Sequence, residues 1–231
     1  MSGAIVEAIG LRKTYFGKIP VPVLHGVDLA VMPSEFVAVI GQSGSGKSTL
    51  LNLLGALDHP TAGVVRIAGR DITALSSDEL AGVRNTSLGF VFQEHDLLPE
   101  FSCLENALMS ILIGERGVTP ADRTRVVELL ERVGLEDELD KRPDAMSGGQ
   151  RQRCAIVRAL ANRPRAILAD EPTGNLDRVS GANVFAMMRE ISRETGVAFI
   201  MVTHDDRLAR QADRVLEIVD GVLHAREIAT L

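Results

Sequence analysis

The sequence predicts an α/β fold with a parallel sheet at its core, an N-terminal antiparallel β part and an inserted α-helical part. Four short apolar runs are nearly uninterrupted, which is typical of strands buried on both faces of a parallel sheet. Residues 4–35 alternate loosely between apolar and polar side chains, which favours short antiparallel strands. Between Phe101 and Arg163 the pattern is helical throughout. The four apolar runs cover residues 36–40, 88–92, 166–169 and 197–202.

The composition and net charge of the chain indicate which functional classes it can belong to. The chain has 231 residues, 45% of them hydrophobic, which is enough for one substantial core. Its net charge is −6 and its basic residues form no long runs, so we expect no nucleic-acid binding. The first residues lack the charged and apolar regions of a signal peptide, and no stretch approaches the roughly 20 apolar residues of a membrane span. We therefore expect a soluble, cytosolic chain in which Cys103 and Cys154 are free thiols.

The whole chain, residues 1–231, is predicted to form one domain made of three parts. Prolines at positions 20, 22 and 33 interrupt the alternating pattern near the N-terminus, so its strands are expected to be short. The antiparallel β part covers about residues 1–35 and 62–87. The core covers about residues 36–61, 88–94 and 163–231, and the helical part about residues 95–162.

Capping and turn signals predict where several elements begin. Thr119 is an N-cap candidate with Pro120 at the first helical position. Ser147 caps a second helix, which is predicted to run from about residue 148 to residue 162. Near the C-terminus, Asp220-Gly221 separates two apolar runs and predicts a β-hairpin.

A glycine-rich segment follows the first apolar run and precedes a helical pattern. Its sequence is Gly41-Gln-Ser-Gly-Ser-Gly46-Lys47-Ser48. The glycines let backbone N–H groups close around phosphates, and the helix N-terminus adds positive potential. Lys47 is expected to reach the β- and γ-phosphates, and the Ser48 hydroxyl to bind Mg²⁺. The segment therefore predicts a nucleoside triphosphate site, formed by Gly41, Ser43, Gly44, Ser45, Gly46, Lys47, Ser48 and Thr49.

Polar side chains follow three further predicted strands. Asp170 and Glu171 come after the third apolar run, Gln93 after the second and His204 after the fourth. Ligands of open α/β sheets bind at the carboxyl edge, where these positions meet. We predict that Asp170 and Gln93 bind Mg²⁺, that Glu171 is a general base for water, and that His204 contacts the γ-phosphate. Each residue taken alone is compatible with a structural role, and their convergence favours the functional interpretation.

Ser147-Gly148-Gly149-Gln150 repeats the anion-binding pattern at the start of a helix. This segment lies in the helical part, far along the chain from the glycine-rich segment. One interpretation is an ordinary capped helix. The other is a second phosphate contact, made to a nucleotide that another subunit holds.

Together these motifs resemble the nucleotide-binding subunits of ABC transporters over essentially the full chain. The resemblance implies a P-loop NTPase fold with a RecA-like core. It identifies residues 41–48 as the Walker A loop, residues 147–150 as the signature and Asn175-Leu176-Asp177 as the D-loop. Gln93 corresponds to the Q-loop glutamine, Asp170 and Glu171 to the end of Walker B, and His204 to the switch histidine. Tyr15 would stack on adenine, although Phe16 is adjacent to it.

Residues 97–106 and 171–177 are most similar to the lipoprotein-releasing ATPases within that family. Macrolide-exporter and cell-division ATPases share much of the same pattern. The chain departs from the usual pattern at Met146, where the family commonly has Leu, and at Gln150, where lipoprotein-releasing relatives often have Glu. Met and Leu are similar in volume, so the first departure is expected to have little effect.

The resemblance implies an ATPase in which two copies of the chain sandwich two ATP molecules with Mg²⁺. The Walker motifs of one copy would face Ser147, Gly148, Gly149 and Gln150 of the other, with Asp177 also near nucleotide. Hydrolysis would depend on Glu171, His204, Lys47 and Gln93. A transmembrane partner would dock near Gln93 and the helical part, with residues 97–101 as a docking segment, at the cytoplasmic face of the inner membrane.

Two alternatives to a transport ATPase stay open at this point. One is a non-transporting ATPase that acts on an envelope partner in cell division. The other is a nucleotide-binding scaffold without turnover, which the presence of Lys47, Glu171 and His204 disfavours. Cargo and direction of transport would be set by the membrane partner.

Overall fold

The computed structural model describes residues 3–114 and 116–226, and its helices and strands are numbered in chain order. They are β1 (Val6–Tyr15), β2 (Val21–Val31), β3 (Phe36–Ile40), α1 (Lys47–Leu54), β4 (Ala62–Ile67), β5 (Arg70–Asp71), α2 (Ser77–Ser87), β6 (Leu88–Val91), α3 (Cys103–Leu112), α4 (Pro120–Arg132), α5 (Gly148–Leu160), β7 (Ala166–Asp170), α6 (Arg178–Thr195), β8 (Ala198–Val202), α7 (Asp206–Ala209), β9 (Arg214–Val219) and β10 (Val222–Arg226). Short 3₁₀ turns cover Glu136–Glu138 and Pro143–Ala145.

The N-terminal sheet has four antiparallel strands in the order β2-β1-β4-β5. Its two longest strands, β1 and β2, have 10 and 11 residues, so they are longer than the prolines in the sequence suggested. Pro22 lies within β2, which is an edge strand with β1 as its neighbour, so the missing N–H interrupts no central ladder. Register shifts between Ala8 and Leu11 bend the pair.

Residues 62–87 were predicted to belong to the antiparallel part, but Ser77–Ser87 form helix α2. The side chain of Ser76 accepts a hydrogen bond from the Glu79 backbone N–H at 3.4 Å. Glu79 Oε2 in turn accepts from the Ser76 N–H at 2.9 Å, which completes a capping box. The helix buries only Leu80 and Val83, so its apolar stripe is too weak to stand out in the sequence.

The core sheet has six strands in the order β10-β9-β3-β8-β7-β6, and all neighbours except β9 and β10 are parallel. All four predicted apolar runs form strands of this sheet, which confirms the α/β fold. Phe36 and Phe199 stack with their ring centroids 5.1 Å apart, and the Phe185 ring packs edge-on against Phe36 at 5.2 Å. Because these neighbouring strands are parallel, the carboxyl ends of β3, β6, β7 and β8 meet at one edge of the sheet.

The helical part is built from α3, α4 and α5, and no strand lies among its described residues. Thr119 and Ser147 cap α4 and α5 as predicted, and α5 ends two residues earlier than predicted. Cys103 and Cys154 are free and fully buried, and the Cys154 thiol donates to the Cys103 carbonyl at 3.3 Å. No helix among the described residues is long and apolar enough to cross a bilayer.

The predicted hairpin is formed by β9 and β10, and Asp220 and Gly221 in its turn have φ values of 45° and 75°. The Gly221 N–H donates to the Ser45 carbonyl at 3.2 Å, and its carbonyl accepts from the His25 N–H at 2.9 Å. A Cβ on Gly221 would lie 2.2 Å from the Val23 carbonyl oxygen. The hairpin turn is therefore packed directly against the glycine-rich loop and β2.

We predict that Gly221→Ala destabilises the protein more than Gly69→Ala. Both glycines have positive φ, 75° and 79°, but a Cβ on Gly69 would meet nothing within 4 Å. Gly69→Ala is expected to cost about 1 kcal/mol of unfolding free energy from backbone strain alone. Gly221→Ala should cost about 1–3 kcal/mol more, because the added methyl group overpacks the Val23 backbone. Urea unfolding midpoints measure the difference, and equal midpoints for the two variants would contradict this packing.

Candidate active site

The glycine-rich loop connects the end of β3 to the start of α1. Gly46 is the N-cap of α1 with φ 109°, and Gly41 has φ 152°. A Cβ on Gly41 would lie 2.4 Å from the Ile218 carbonyl oxygen, so only glycine fits there. The Lys47 ammonium donates to the Gly41 and Gln42 carbonyls at 2.8 and 2.7 Å. Lys47 makes no ion pair among the described residues, so its charge is available to a phosphate.

The loop borders a cleft of about 810 Å³ at the carboxyl edge of the core sheet, within the usual size of a small-molecule site. Most of the residues that the sequence analysis assigned to nucleotide, magnesium and catalysis line this cleft. They are Gly41, Ser43, Gly44, Gly46, Lys47, Ser48, Thr49, Gln93, Asp170, Glu171 and His204. Ser45 does not line the cleft, and its buried hydroxyl has no hydrogen-bond partner among the described residues.

The Asp170 carboxyl and the Ser48 hydroxyl both belong to residues that line the cleft. Burial, and then the charge of the adjacent Glu171, raise the pKa of the Asp170 carboxyl above its ordinary value. The Ser48 hydroxyl and the Lys47 charge oppose that rise in pKa. A hard cation at this position would relieve the repulsion between the two carboxylates. The oxygens of Asp170, Ser48 and Gln93 are the ligand types that Mg²⁺ prefers, so these residues fit a magnesium ion.

Glu171 and His204 form a hydrogen-bonded pair beside Asp170. His204 Nδ1 lies 2.8 Å from Glu171 Oε1, and the His204 backbone N–H donates to Glu171 Oε2 at 3.4 Å. The Glu171 N–H donates to the Val202 carbonyl at 2.9 Å, which ties this residue to β8. Glu171 has φ 47°, a left-handed conformation that is strained for a non-glycine residue. The imidazole is 72% exposed, so its second nitrogen is open to a ligand in the cleft.

Gln93 is held by Asn175 through a reciprocal pair of hydrogen bonds. Gln93 Nε2 donates to Asn175 Oδ1 at 3.1 Å, and Asn175 Nδ2 donates to the backbone carbonyl of Gln93 at 3.0 Å. This pairing uses the amide nitrogen of Gln93 and leaves its amide oxygen as a possible metal ligand. Asn175 belongs to the predicted D-loop, but its contact with Gln93 was not predicted, because 82 residues separate the partners.

The residues after Gln93 attach this loop to α5. His95 and Asp96 both have positive φ, 67° and 47°. Arg158 of α5 donates to the carbonyl oxygens of both residues, at 2.7 Å to His95 and also closely to Asp96. The His95 side chain is buried, and burial lowers its pKa. The contact between His95 and Arg158 was not predicted, because no motif in the sequence links these two residues.

Residues 147–150 begin α5 and do not line the cleft of their own chain. Ser147 Oγ accepts from the Gln150 N–H at 3.2 Å, and Gln150 Oε1 accepts from the Ser147 N–H at 2.7 Å. The segment is therefore a complete capping box, as the first interpretation requires. Gly148 and Gly149 lie in the first turn of the same helix. A contact between this helix start and a nucleotide of another subunit stays a prediction.

Asp177 and Tyr15 also lie outside the lining of the cleft. Asp177 caps α6 by accepting from the Val179 and Ser180 N–H groups at 2.9 and 3.0 Å. The Tyr15 hydroxyl donates to Asp58 at 3.3 Å, and the residue is 42% exposed. Direct contacts of Asp177 and Tyr15 with nucleotide stay predictions.

Comparison with known proteins decides the family. Residues 24–174 match the ABC transporter family. This chain belongs to that family. The match contains the glycine-rich loop, Gln93, the start of α5 and the Asp170-Glu171 pair. Cassettes of this family bind and hydrolyse ATP, so the predicted ATPase activity and the resemblance found in the sequence are both confirmed.

Relatives match over nearly the whole chain. The lipoprotein-releasing system ATP-binding protein LolD of Anaeromyxobacter dehalogenans is 53% identical, over 94% of this chain and 91% of its own length. LolD of Xanthomonas campestris pv. campestris strain 8004 is 51% identical over 98% of this chain and 94% of its own length. LolD of Shewanella frigidimarina is 50% identical over 95% of this chain and 92% of its own length.

Solved structures of ABC cassettes share the fold. The ATP-binding cassette MJ0796, dimeric in a post-hydrolysis state bound to ADP and Pi, matches with a TM-score of 0.87 and 37% identity. The match covers 98% of this chain and 100% of that one. CbiO1 of Clostridium perfringens matches with a TM-score of 0.85 and 26% identity, over 96% of this chain and 88% of that one. The P-loop NTPase fold is therefore confirmed.

We predict that Glu171→Gln abolishes turnover but leaves ATP binding intact. The amide keeps the shape of the carboxylate and cannot accept a proton from water, so kcat should fall about 10²–10⁴-fold. Phosphate release measures kcat, and equilibrium binding of ATP measures the retained affinity. Glu128→Gln, on the exposed face of α4, is the matched control and should hydrolyse ATP like the wild type. Full turnover in Glu171→Gln would remove Glu171 from the catalytic machinery.

Proposed function

We propose that this chain is the ATP-hydrolysing subunit of a transporter that releases lipoproteins from the inner membrane. The observation that carries the proposal is the identity of 50–53% with LolD proteins over 94–98% of the chain. The cell-division alternative is not favoured, because these relatives carry the lipoprotein-releasing name. A scaffold without turnover is disfavoured by the presence of Lys47, Glu171 and His204 in one cleft.

The residues of the cleft have distinct roles in the proposed reaction. Backbone N–H groups of the glycine-rich loop and the Lys47 ammonium bind the β- and γ-phosphates. Ser48, Asp170 and Gln93 hold Mg²⁺, which neutralises phosphate charge when it is bound. Glu171 accepts a proton from the attacking water.

His204 orients the catalytic base and completes the phosphate contacts. Because Nδ1 lies 2.8 Å from the Glu171 carboxylate, we assign the imidazole proton to Nδ1. The opposite ring nitrogen then faces the terminal phosphate. Tyr15 stacks on the adenine base at the far end of the nucleotide, and Asp177 approaches the nucleotide through the D-loop.

The proposed active form contains two copies of the chain and two ATP molecules. The start of α5 carries an N-terminal dipole and lies outside the cleft of its own chain, so it is free to meet a phosphate held by a second copy. The dimeric cassettes among the solved structures support this arrangement. Ser147, Gly148, Gly149 and Gln150 would contact the γ-phosphate, and its loss on hydrolysis would remove the contacts that favour the closed dimer.

An apolar groove of about 470 Å³ between the core and the helical part is the proposed docking site for a helix of the transmembrane partner. Phe90, Met109 and Ile113 line it, and Ile113 is 72% exposed. The groove shares Phe92 and Asp96 with the ATP cleft, so its occupant would contact the loop that carries Gln93. The 97–101 segment follows Asp96 directly along the chain, and its Leu98 and Phe101 side chains are exposed. Through this partner the chain would be peripheral at the cytoplasmic face of the inner membrane.

We predict that Ile113→Glu loses partner-stimulated activity and keeps basal ATP hydrolysis. The carboxylate would be buried against apolar side chains of the partner, which costs several kcal/mol and weakens docking. The experiment reconstitutes the chain with its membrane subunits in proteoliposomes that contain a lipoprotein. Wild-type protein should show stimulated hydrolysis and ATP-dependent lipoprotein release, and Ile113→Glu should show neither.

Ile9→Glu is the matched control, because Ile9 is 42% exposed on the N-terminal sheet, away from the groove. This variant should behave like the wild type in both assays. Stimulated hydrolysis without lipoprotein release would contradict the transport function and favour the mechanical alternative. Normal stimulation of Ile113→Glu would place the partner on another surface.

A further inference from the structure

Lys13 lies at the centre of a polar cluster beside Tyr15. Its side chain is 11% exposed, and its ammonium donates to Asp58 Oδ1 at 2.6 Å and to the His59 carbonyl at 2.7 Å. The same ammonium lies over the Tyr15 ring, 4.8 Å from the centroid. The Tyr15 hydroxyl donates to the second carboxylate oxygen of Asp58 at 3.3 Å. Lys13 and Asp58 therefore hold both the face and the edge of this ring.

Asp58 belongs to the segment that follows α1, so the cluster connects Tyr15 to the helix that begins at the phosphate loop. Burial is the largest single influence on the Asp58 carboxyl and raises its pKa. The hydrogen bonds from Lys13, from the His59 N–H and from Tyr15, together with the Lys13 charge, outweigh it, so the pKa lies below its ordinary value. Two more bonds fix the same junction. The Thr14 N–H donates to Thr61 Oγ1 at 2.9 Å, and the Thr61 N–H donates to the Arg12 carbonyl at 2.8 Å.

We propose that Lys13 and Asp58 are positioning residues that hold Tyr15 at a fixed distance from the phosphate loop, and so set the affinity of the site for the nucleotide base. This inference rests on the proposed function, in which Tyr15 stacks on adenine. Helix α1 is the rigid spacer, because the phosphates bind at its first turn and Asp58 follows its last. A ring that is held on one side, in a residue that is 42% exposed, presents an ordered surface to a base at little entropic cost.

A purely structural role for this cluster would affect all ligands and the stability of the fold together. A positioning role affects only ligands that carry a base. Inorganic tripolyphosphate can occupy the phosphate loop but has no base to stack on Tyr15. Comparing ATP with tripolyphosphate therefore separates the two roles.

The experiment measures the affinities of Lys13→Met and Asp58→Asn for ATP and for tripolyphosphate, both with Mg²⁺, and the steady-state hydrolysis of ATP. Both substitutions keep the side-chain size and remove the ion pair. We expect ATP affinity to fall about tenfold, as when a base loses an aromatic stacking partner. Tripolyphosphate affinity should stay within twofold of the wild type. The KM for ATP should rise in parallel, with kcat little changed.

Three further variants complete the test: Arg66→Met, Tyr15→Ala and the double variant that combines Tyr15→Ala with Lys13→Met. Arg66→Met removes the 2.9 Å pair between Arg66 and Glu7 on the same sheet, remote from Tyr15, and should leave ATP affinity unchanged. In a Tyr15→Ala background, Lys13→Met should cause no additional loss of ATP affinity, because the two residues act as one unit.

Three results would overturn the proposal. These are an equal loss of affinity for ATP and tripolyphosphate, a tenfold further loss from Lys13→Met in the Tyr15→Ala background, and unchanged ATP affinity in Tyr15→Ala. In the last case ATP hydrolysis and lipoprotein release by the wild type would still support the proposed function. The two proposals are therefore distinguishable.

Discussion

The site depends on one constraint, the tight glycine-rich turn by which the loop connects the buried strand β3 to the N-terminus of α1. A triphosphate carries several negative charges, and a helix N-terminus with convergent N–H groups binds them without any change in protonation. Gly41 and Gly46 have positive φ, and a Cβ on Gly41 would clash with the Ile218 carbonyl, while one on Gly46 would press on the Leu24 side chain. The Gly221 N–H donates to the Ser45 carbonyl, which attaches the hairpin turn to this loop. In the proposed function, the other cleft residues act on phosphates that this turn holds.

The cleft is connected to the helical part through the loop that follows Gln93. On one side Gln93 exchanges two hydrogen bonds with Asn175, and on the other Arg158 of α5 donates to the His95 and Asp96 carbonyls. Ser147 is the N-cap of α5, so the loop after Gln93 contacts both the proposed magnesium-binding edge and the helix that we propose to meet a second copy. The same loop joins the cleft to the proposed partner groove, because Asp96 lines both of them and Arg158 lines the groove.

Local patterns in the sequence predicted most of the fold and most of the cleft. Uninterrupted apolar runs predicted the parallel strands, and N-cap residues such as Thr119 and Ser147 predicted helix starts, because each signal is contained in a few consecutive residues. Helix α2 was missed although its capping box was present, since its apolar stripe is weak. Contacts such as Gln93 with Asn175 and Lys13 with Asp58 were not predictable, because they join segments 82 and 45 residues apart that only the folded sheets bring together.

The central claim is that each chain supplies half of an ATP site, and a disulfide between two copies tests it most directly. Ser43→Cys and Ser147→Cys proteins, each also carrying Glu171→Gln to retain ATP, are mixed under mild oxidation. Both serines are exposed, and the native Cys103 and Cys154 are fully buried, so only the introduced thiols should react. We expect a crosslinked dimer that requires both cysteines and ATP. Saturating ATP binding without any such crosslink, together with full turnover by a dilute wild-type monomer, would contradict it.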